Sequence, residues 1–169
     1  MNKNKSKIVT IGHFRKKYKY DTLIETGIYK GDNIQREKGN FKKIISIELG
    51  KNLYDNAVKR FANDKNVELY HGDSGNILPG IVEGLKKPVI FFLDGHFSGG
   101  VTVMAEIETP IRAELDTIMK SPYRHVILID DARCFDGTHD YPTVEQVKEI
   151  VKTKYKVTVE HDIIRCEPI

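Results

Sequence analysis

The sequence predicts an α/β protein with three layers, in which helices cover both faces of a mostly parallel β-sheet. Short apolar runs of strand length alternate along the chain with longer segments in which apolar residues recur at helical spacing. The runs at residues 89–93 and 126–129 are apolar almost throughout, as expected for parallel strands that are buried on both faces. This alternation indicates right-handed crossovers between parallel strands.

The individual elements follow from these two periodicities. Strands are predicted at residues 22–24, 43–47, 67–70, 89–93 and 126–129, and each run is followed by an acid or a glycine within a few residues. Helices are predicted between them from three sets of apolar residues: Leu53, Ala57, Val58 and Phe61; Ile77, Leu78, Ile81 and Leu85; and Ile107, Ile111, Leu115 and Ile118. Pro110 is expected to start or kink the third of these helices.

The C-terminal third of the chain predicts one more helix and a strand pair. Thr143 is followed three residues later by Gln146, the pattern of a capping box, so a helix is expected over residues 144–152. Residues 156–160 and 163–166 have strand character and flank His161 and Asp162, which favours a tight antiparallel pair that closes the sheet.

Length and charge set the domain organisation. The 169 residues suit one domain, which we expect at 21–169 behind a basic arm at 1–20. The arm holds seven Lys or Arg and no acid, whereas the rest holds 20 basic and 24 acidic residues. A broad basic face for nucleic acid is therefore not expected, although the arm could contact a phosphate.

Neither a membrane segment nor a secretory signal is expected. The longest apolar run is residues 89–93, far below the roughly 18 residues that span a bilayer. Gly12 and His13 interrupt the apolar stretch that follows the basic N-terminal residues, where a signal peptide needs a continuous one. We expect a cytoplasmic protein in which Cys134 and Cys166 are free thiols.

Acids cluster at the ends of the predicted strands, where open parallel sheets bind their ligands. They are Glu25, Glu48, Asp73, Asp94, Asp130 and Asp131. Loops also need polar residues for turns and caps, so each acid taken alone has a structural alternative. Their joint occurrence at five strand ends predicts a functional site along this edge.

The loop after the first strand favours a ligand that carries an amino-acid group. Gly27 and Gly31 have the spacing GxxxG, which is neither the dinucleotide pattern GxGxxG nor a Walker A loop. Glu25 would repel a pyrophosphate but suits an ammonium group. Glu48 lies 21 residues beyond Gly27, a distance suited to an acid that binds ribose hydroxyls, and Asp73 could accept from an adenine amino group.

Five segments in this order resemble the motifs of class I S-adenosylmethionine-dependent methyltransferases: LIETGIYKGDNI, IISIEL, VELYHGDS, VIFFLDGH and HVILIDDA. The resemblance covers about residues 20–152 and implies a Rossmann-like fold with S-adenosylmethionine as cofactor. It assigns the cofactor to Glu25, Thr26, Gly27, Gly31, Glu48, Asp73, Ser74 and Asp94, with Glu48 on the ribose and Asp73 and Ser74 beside the adenine. The usual family loop has a further glycine where this chain has Tyr29.

Asp94, Asp130 and Asp131 are similar to the metal ligands of metal-dependent O-methyltransferases of the catechol and macrocin types. The resemblance implies that Mg²⁺ there would hold two neighbouring substrate hydroxyls and lower the pKa of one. His96 would be the general base, although only Gly95 separates it from Asp94 where the macrocin type has two residues. The alternative is that Asp130 and Asp131 only cap and turn the chain, since adjacent side chains of a strand point to opposite sides.

The sequence thus predicts a methyltransferase that acts on oxygen of a small hydroxylated molecule, with Mg²⁺ as a second cofactor and with Asp94 and His96 in catalysis. A homodimer is one expected assembly, and neither a membrane nor nucleic acid is an expected partner. Two alternatives stay open: an inactive module that binds the cofactor and serves as a scaffold or regulator, and an RNA-directed binding protein or methyltransferase that uses the basic arm.

Overall fold

A computed structural model describes residues 3–95 and 109–169, with side chains from residue 9 onward. It contains one sheet of seven strands: β1 Thr22–Thr26, β2 Lys43–Glu48, β3 Val67–His71, β4 Ile90–Leu93, β5 Val126–Ile129, β6 Tyr155–Glu160 and β7 Ile163–Pro168. Their order across the sheet is β3-β2-β1-β4-β5-β7-β6. Strands β1 to β5 are parallel, and β7 runs antiparallel to both β5 and β6. The predicted α/β fold with an antiparallel C-terminal pair is confirmed.

Six α-helices accompany the strands in the described ranges, with a short 3-10 helix at Ala132–Cys134 after β5: α1 Lys3–Tyr18, α2 Asp32–Glu37, α3 Lys51–Arg60, α4 Ser74–Gly84, α5 Ile111–Lys120 and α6 Val144–Val151. Pro110 stands at the N-cap of α5, so it starts this helix rather than kinking it. Ile107, which was predicted in the same helix, lies outside the described residues. None of these helices is long and apolar enough to cross a membrane.

Helices pack on both faces of the sheet, because alternate strand residues point to opposite sides. One face carries Ile24, Phe91, Leu93, Ile127 and Ile129 beneath α4, α5 and α6. The other face carries Leu23, Ile44, Ile90, Phe92 and Leu128 beneath α1, α2 and α3. The three predicted layers are therefore present, and both central strands β4 and β5 are buried throughout.

Two local sequence signals form the structures that they predict. The Thr143 hydroxyl accepts from the Gln146 N–H at 3.1 Å and the Gln146 side chain accepts from the Thr143 N–H at 2.9 Å, which completes the capping box of α6. His161 and Asp162 have φ of 55° and 65°, the left-handed pair of a two-residue hairpin turn between β6 and β7.

Helix α1 accounts for most of the basic segment at residues 1–20. Its Ile11 and Phe14 are buried in the core against the sheet. Near the end of the helix, the Lys17 ammonium pairs with the Glu167 carboxylate on β7, and the Tyr18 hydroxyl donates to the same carboxylate at 3.1 Å. The described part of the expected basic arm is therefore helical, and it packs on the sheet through Ile11 and Phe14.

His125 is a packing residue that directly precedes β5, at the opposite end of the strand from Asp130 and Asp131. It is fully buried, its Nδ1 accepts from the Val89 N–H at 3.1 Å, and its Nε2 lies 2.8 Å from the Ser121 hydroxyl. Burial lowers the pKa of His125 to about 4, so the ring is neutral in the folded protein. Cys134 and Cys166 are free thiols, as predicted.

The order of the strands reverses between β1 and β4, and this switch point is where open α/β sheets form a crevice. The Asp94 N–H donates to the Thr26 carbonyl at 3.0 Å, which holds the ends of β1 and β4 together. Gly27 follows with φ +85°, and a Cβ at this position would lie 2.4 Å from the Asp94 carbonyl oxygen. Only glycine fits there, because a side chain would meet fixed backbone.

Candidate functional site

The loop between β1 and α2 closes onto the carboxylate of Glu48 at the end of β2. The Ile28 and Tyr29 N–H groups donate to Glu48 Oε2 at 2.9 and 3.0 Å, and the Gly50 N–H donates to Oε1 at 2.8 Å. A carboxylate offers about four lone-pair sites, so roughly three are used by the backbone. Glu48 therefore fixes the glycine loop at the mouth of the crevice, and its contact with ribose hydroxyls stays a prediction.

Tyr29 occupies the loop position where the resembling family has a glycine, and its backbone keeps a conformation that glycine favours. Its φ is +50°, in the left-handed region that costs an L-residue about 1 kcal/mol or more. Its side chain is half exposed, and the Lys30 ammonium lies 5.4 Å from the ring centroid. The left-handed turn of the loop is therefore retained without the middle glycine.

Gly31 ends this loop with φ +75°, and a Cβ there would lie 2.7 Å from a ring carbon of Phe61. Beneath the loop, Glu25 is almost fully buried. The Ser46 hydroxyl donates to one of its carboxylate oxygens at 2.7 Å and the Asn33 amide donates to the other at 2.6 Å. Glu25 thus supports the loop from below, and its binding of a ligand ammonium stays a prediction.

Asp73 and Ser74 stand at the start of α4, beyond the end of β3. The Asp73 carboxylate accepts from the Gly75 N–H at 2.8 Å and so caps the helix. The Ser74 hydroxyl donates to Glu114 Oε1 at 2.6 Å, a buried contact with the first turn of α5. Glu114 was not among the predicted residues, although an acid on the apolar face marked by Ile111 and Leu115 was a visible signal.

Three predicted acids converge at the ends of β4 and β5. One carboxylate oxygen from each of Asp94, Asp130 and Asp131 lies within 4.8 Å of the others. Asp130 and Asp131 are buried, whereas Asp94 is partly exposed. Strand β5 ends at Ile129 and Asp131 has φ +57°, so the alternation that would separate two neighbouring side chains has already stopped. We name these three residues the acid triad.

Arg133 and Asp162 extend the acid triad and were not predicted. Arg133 Nη1 donates to Asp131 Oδ1 at 2.9 Å and also contacts the Asp162 carboxylate. The hydrogen bond and charge of Asp131, together with Asp162, raise the pKa of the Arg133 guanidinium above its ordinary value. The sequence gives little indication of the contact between Arg133 and Asp162, because the two residues are 29 positions apart.

A small cavity lies beside the triad, between the ends of β4 and β5 and the start of α5. The cavity is lined by Leu93, Gly95, Thr109, Ile111, Glu114, Ile129, Asp130, Phe135 and Tyr141. The buried Thr26 hydroxyl has no hydrogen-bond partner in the described ranges. It lies close to Gly95, because a Cβ added at Gly95 would be 3.0 Å from the Thr26 hydroxyl oxygen.

His96, the predicted general base, lies outside the described residues.

Comparisons with known proteins place the fold in a recognised class. No protein-family model and no curated protein matches the chain. The chain is similar to the methyltransferase domain of a bacterial Hen1 protein, with a TM-score of 0.62 and 11% identity over 99% of this chain and 100% of that chain. The chain therefore has a Rossmann-like methyltransferase fold.

Two further solved structures carry the same fold within longer chains. The 23S rRNA methyltransferase ErmE matches with a TM-score of 0.57 and 13% identity over 89% of this chain, which spans 62% of ErmE. The S-adenosylmethionine-bound amino pentose methyltransferase CalS10 from Micromonospora echinaspora matches with a TM-score of 0.54 and 15% identity over 77% of this chain and 51% of its own.

Proposed function

We propose that the protein is an S-adenosylmethionine-dependent methyltransferase that methylates an oxygen of a small hydroxylated molecule. The observation that carries this proposal is the glycine loop clamped onto Glu48 at the switch point of the sheet. CalS10, whose solved structure has S-adenosylmethionine bound, has a similar fold. When bound, this cofactor supplies a methyl group activated by a sulfonium.

The residues around the loop fit the parts of that cofactor. Glu48 keeps roughly one lone-pair site beyond its three backbone donors, and we assign it to the ribose hydroxyls. Asp73 follows β3, the strand that pairs with β2, and we assign it with Ser74 to the adenine. Glu25, Thr26, Gly27 and Gly31 are assigned to the methionine part, with Asp94 at the junction of β1 and β4.

The acid triad fits a hard divalent cation such as Mg²⁺. Carboxylate oxygens are the ligands that such ions prefer, and the three that converge here can occupy one side of an octahedral shell. When bound, the ion would act as a Lewis acid and lower the pKa of a substrate hydroxyl. We assign the removal of the hydroxyl proton to His96, which follows Asp94 by two residues.

The contribution of the chain itself would be mainly positional. The β1–β4 junction sets the cofactor loop beside Asp94, because the Asp94 N–H is bonded to the Thr26 carbonyl. An acceptor held at the acid triad would therefore lie next to the cofactor loop. Fixing both reactants in this way converts methyl transfer into an effectively intramolecular step.

The test is transfer of a radiolabelled methyl group from S-adenosylmethionine to catechol and to resorcinol, with Mg²⁺ or with a chelator. Only catechol carries neighbouring hydroxyls that one ion can hold, so we expect transfer to catechol in Mg²⁺ and at least tenfold less in the other three conditions. Equal transfer with chelator would contradict the metal assignment. Cofactor binding without transfer to any hydroxylated acceptor would instead favour the inactive scaffold.

Matched variants separate the site from general damage. Asp94→Asn should abolish the dependence on Mg²⁺, whereas Asp116→Asn, at an exposed position of α5, should leave it unchanged. If Asp94→Asn transfers methyl groups at the wild-type rate with the same Mg²⁺ dependence, Asp94 is not a ligand.

A second candidate function is methylation or binding of RNA. Helix α1 carries six Lys or Arg and no acid, and ErmE, which shares the fold, is a 23S rRNA methyltransferase. The expectation that nucleic acid is not a partner therefore has no support from the neighbours. Because α1 is packed on the sheet, the test keeps the helix and replaces Lys3, Lys5 and Lys7 by Gln. A salt-dependent RNA affinity that falls in this variant would favour RNA.

A further inference from the structure

We propose that Asp162, in the turn between β6 and β7, is a positioning residue for the acid triad, and that it acts through Arg133. The inference rests on the proposed divalent-cation site and names the support of that site. Asp162 does not belong to the group of described carboxylates that converge within 4.8 Å. Its effect on the ion would therefore be indirect.

The triad exists only because the chain turns after β5. In an extended strand, the side chains of Asp130 and Asp131 would point to opposite faces of the sheet. Asp131 instead has φ +57° and ψ +45°, a left-handed conformation that costs a residue other than glycine about 1 kcal/mol and persists only where surrounding contacts compensate for it. The contacts that hold this turn therefore decide whether the two carboxylates meet.

Several of those contacts come from one residue of the hairpin, Asp162, beside the Cys134 N–H, which donates to the Asp131 carbonyl at 2.8 Å. The Ala132 N–H donates to the Asp162 carbonyl at 2.9 Å, and the Arg133 N–H donates to Asp162 Oδ1 at 2.9 Å. The Arg133 guanidinium then contacts the other Asp162 oxygen and also donates to Asp131 Oδ1 at 2.9 Å. Asp162 thus binds the two residues that follow Asp131 and orients the arginine that holds its carboxylate.

The hairpin turn is itself built to present Asp162. His161 and Asp162 both have positive φ, and β6 and β7 pair on either side of them without a gap in register. Strand β7 also pairs with β5, with Ile164 opposite Ile129. The turn is therefore anchored to the strand that carries the triad, so its carboxylate has a fixed position relative to Asp131. Residues that orient metal ligands typically change metal affinity by 10- to 100-fold when they are replaced.

The test measures the affinity of the protein for Mn²⁺, by electron paramagnetic resonance, and for S-adenosylhomocysteine, by calorimetry. We expect Asp162→Ala to weaken Mn²⁺ binding at least tenfold. Asp162→Asn, which keeps an acceptor for the Arg133 N–H, should weaken it less, and S-adenosylhomocysteine affinity should stay within twofold in both. Asp55→Asn is the matched control and should change neither affinity, because Asp55 is a partly exposed residue of α3, which packs beside β2 and β3 at the other edge of the sheet from the hairpin.

The outcomes distinguish this inference from the proposed function. If wild-type protein binds Mn²⁺ and both Asp162 variants bind it within twofold of wild type, the positioning role is wrong while the metal site stands. If S-adenosylhomocysteine binding falls in parallel with Mn²⁺ binding, Asp162 has only a general structural role. Failure of the wild-type protein to bind millimolar Mn²⁺ would remove the metal site, and the inference with it.

Discussion

The two sides of the crevice hold their carboxylates by different means. On the β1–β2 side, Glu48 is surrounded by backbone N–H donors from its own neighbourhood and from the glycine loop. On the β4–β5 side, Asp94, Asp130 and Asp131 face one another, and the contact that orients Asp131 comes from a side chain, Arg133. Backbone donors stabilise the single carboxylate of Glu48, whereas the other side brings three carboxylates together beside one guanidinium.

This difference indicates which side depends more on a ligand. A carboxylate that accepts three N–H bonds is stabilised within the folded chain. Carboxylates that lie within 4.8 Å of one another repel, and a bound cation would relieve the repulsion. We therefore expect the β1–β2 side to be formed in the free protein and the β4–β5 side to respond to divalent ions.

The largest effect is expected from Gly27→Ala, which breaks the junction between the two sides. The new methyl group would meet the Asp94 carbonyl at 2.4 Å, and alanine disfavours φ +85°. We expect the free energy of unfolding to fall by about 3 kcal/mol or more, measured by urea denaturation. Gly39→Ala is the matched control, because a Cβ there has no atom within 4 Å, and it should change stability by about 0.5 kcal/mol at most. Equal effects would show that the junction is not closely packed.

His125 predicts a loss of folding stability at low pH that does not come from the acid triad. Its pKa is about 6.5 when unfolded and about 4 when folded, so between these values the unfolded chain binds the proton more tightly. The contribution of neutral His125 to the free energy of unfolding is therefore fully present above pH 6.5. It should fall by up to about 3 kcal/mol as the pH drops towards 4. His125→Asn should flatten the pH dependence of the free energy of unfolding between pH 6.5 and 4, measured by urea denaturation. His161→Asn should not. A slope that survives in His125→Asn would assign it to other groups.

Replacement of Glu48 tests the side that is formed without a ligand. Glu48→Gln converts one acceptor oxygen into an amide that cannot accept from the loop or from a ribose. We expect the affinity for S-adenosylhomocysteine to fall about tenfold or more, as for a lost hydrogen bond to a charged group, while Mn²⁺ affinity is kept. Glu145→Gln, on exposed α6 surface, is the control. An unchanged ligand affinity in folded Glu48→Gln would mean that the ribose is placed wrongly.

The smallest effect is expected from Tyr29→Gly, which relieves a strained backbone without removing a donor. The Tyr29 N–H would still bond to Glu48, and glycine adopts φ +50° without a steric penalty. Because the greater entropy of glycine in the unfolded chain opposes this gain, we expect a rise of only about 0.5 kcal/mol in unfolding free energy. Tyr29→Ala should give no such rise. A loss of stability in Tyr29→Gly would show that the tyrosine ring contributes contacts that outweigh the strain.

The sequence predicts the strands well because their signals are local. Strands β4 and β5 are apolar throughout and the capping box of α6 lies within four residues, so each could be found from its own segment. Helices α1 and α2 were not predicted: α2 has only six residues, and α1 contains Gly12 and long polar stretches that obscure its buried Ile11 and Phe14.

The site is predictable only in part, for the same reason. The acids lie at or just after the ends of the predicted strands, so they could be named as candidate site residues from the sequence. Their geometry depends on backbone angles at Asp131 and Tyr29, which no residue type dictates, and on Asp162, which reaches Arg133 through strand pairing. Glu114 could have been found as an acid on an apolar helix face.

The central claim is that the loop clamped onto Glu48 binds S-adenosylmethionine and its product. Calorimetric titration of the folded protein with S-adenosylhomocysteine, in Mg²⁺ and in chelator, tests it without knowledge of the acceptor. We predict saturable binding of one ligand per chain in both conditions, because the β1–β2 side is formed without an ion. Absence of binding at millimolar ligand in protein shown to be folded would contradict the claim and withdraw every cofactor assignment.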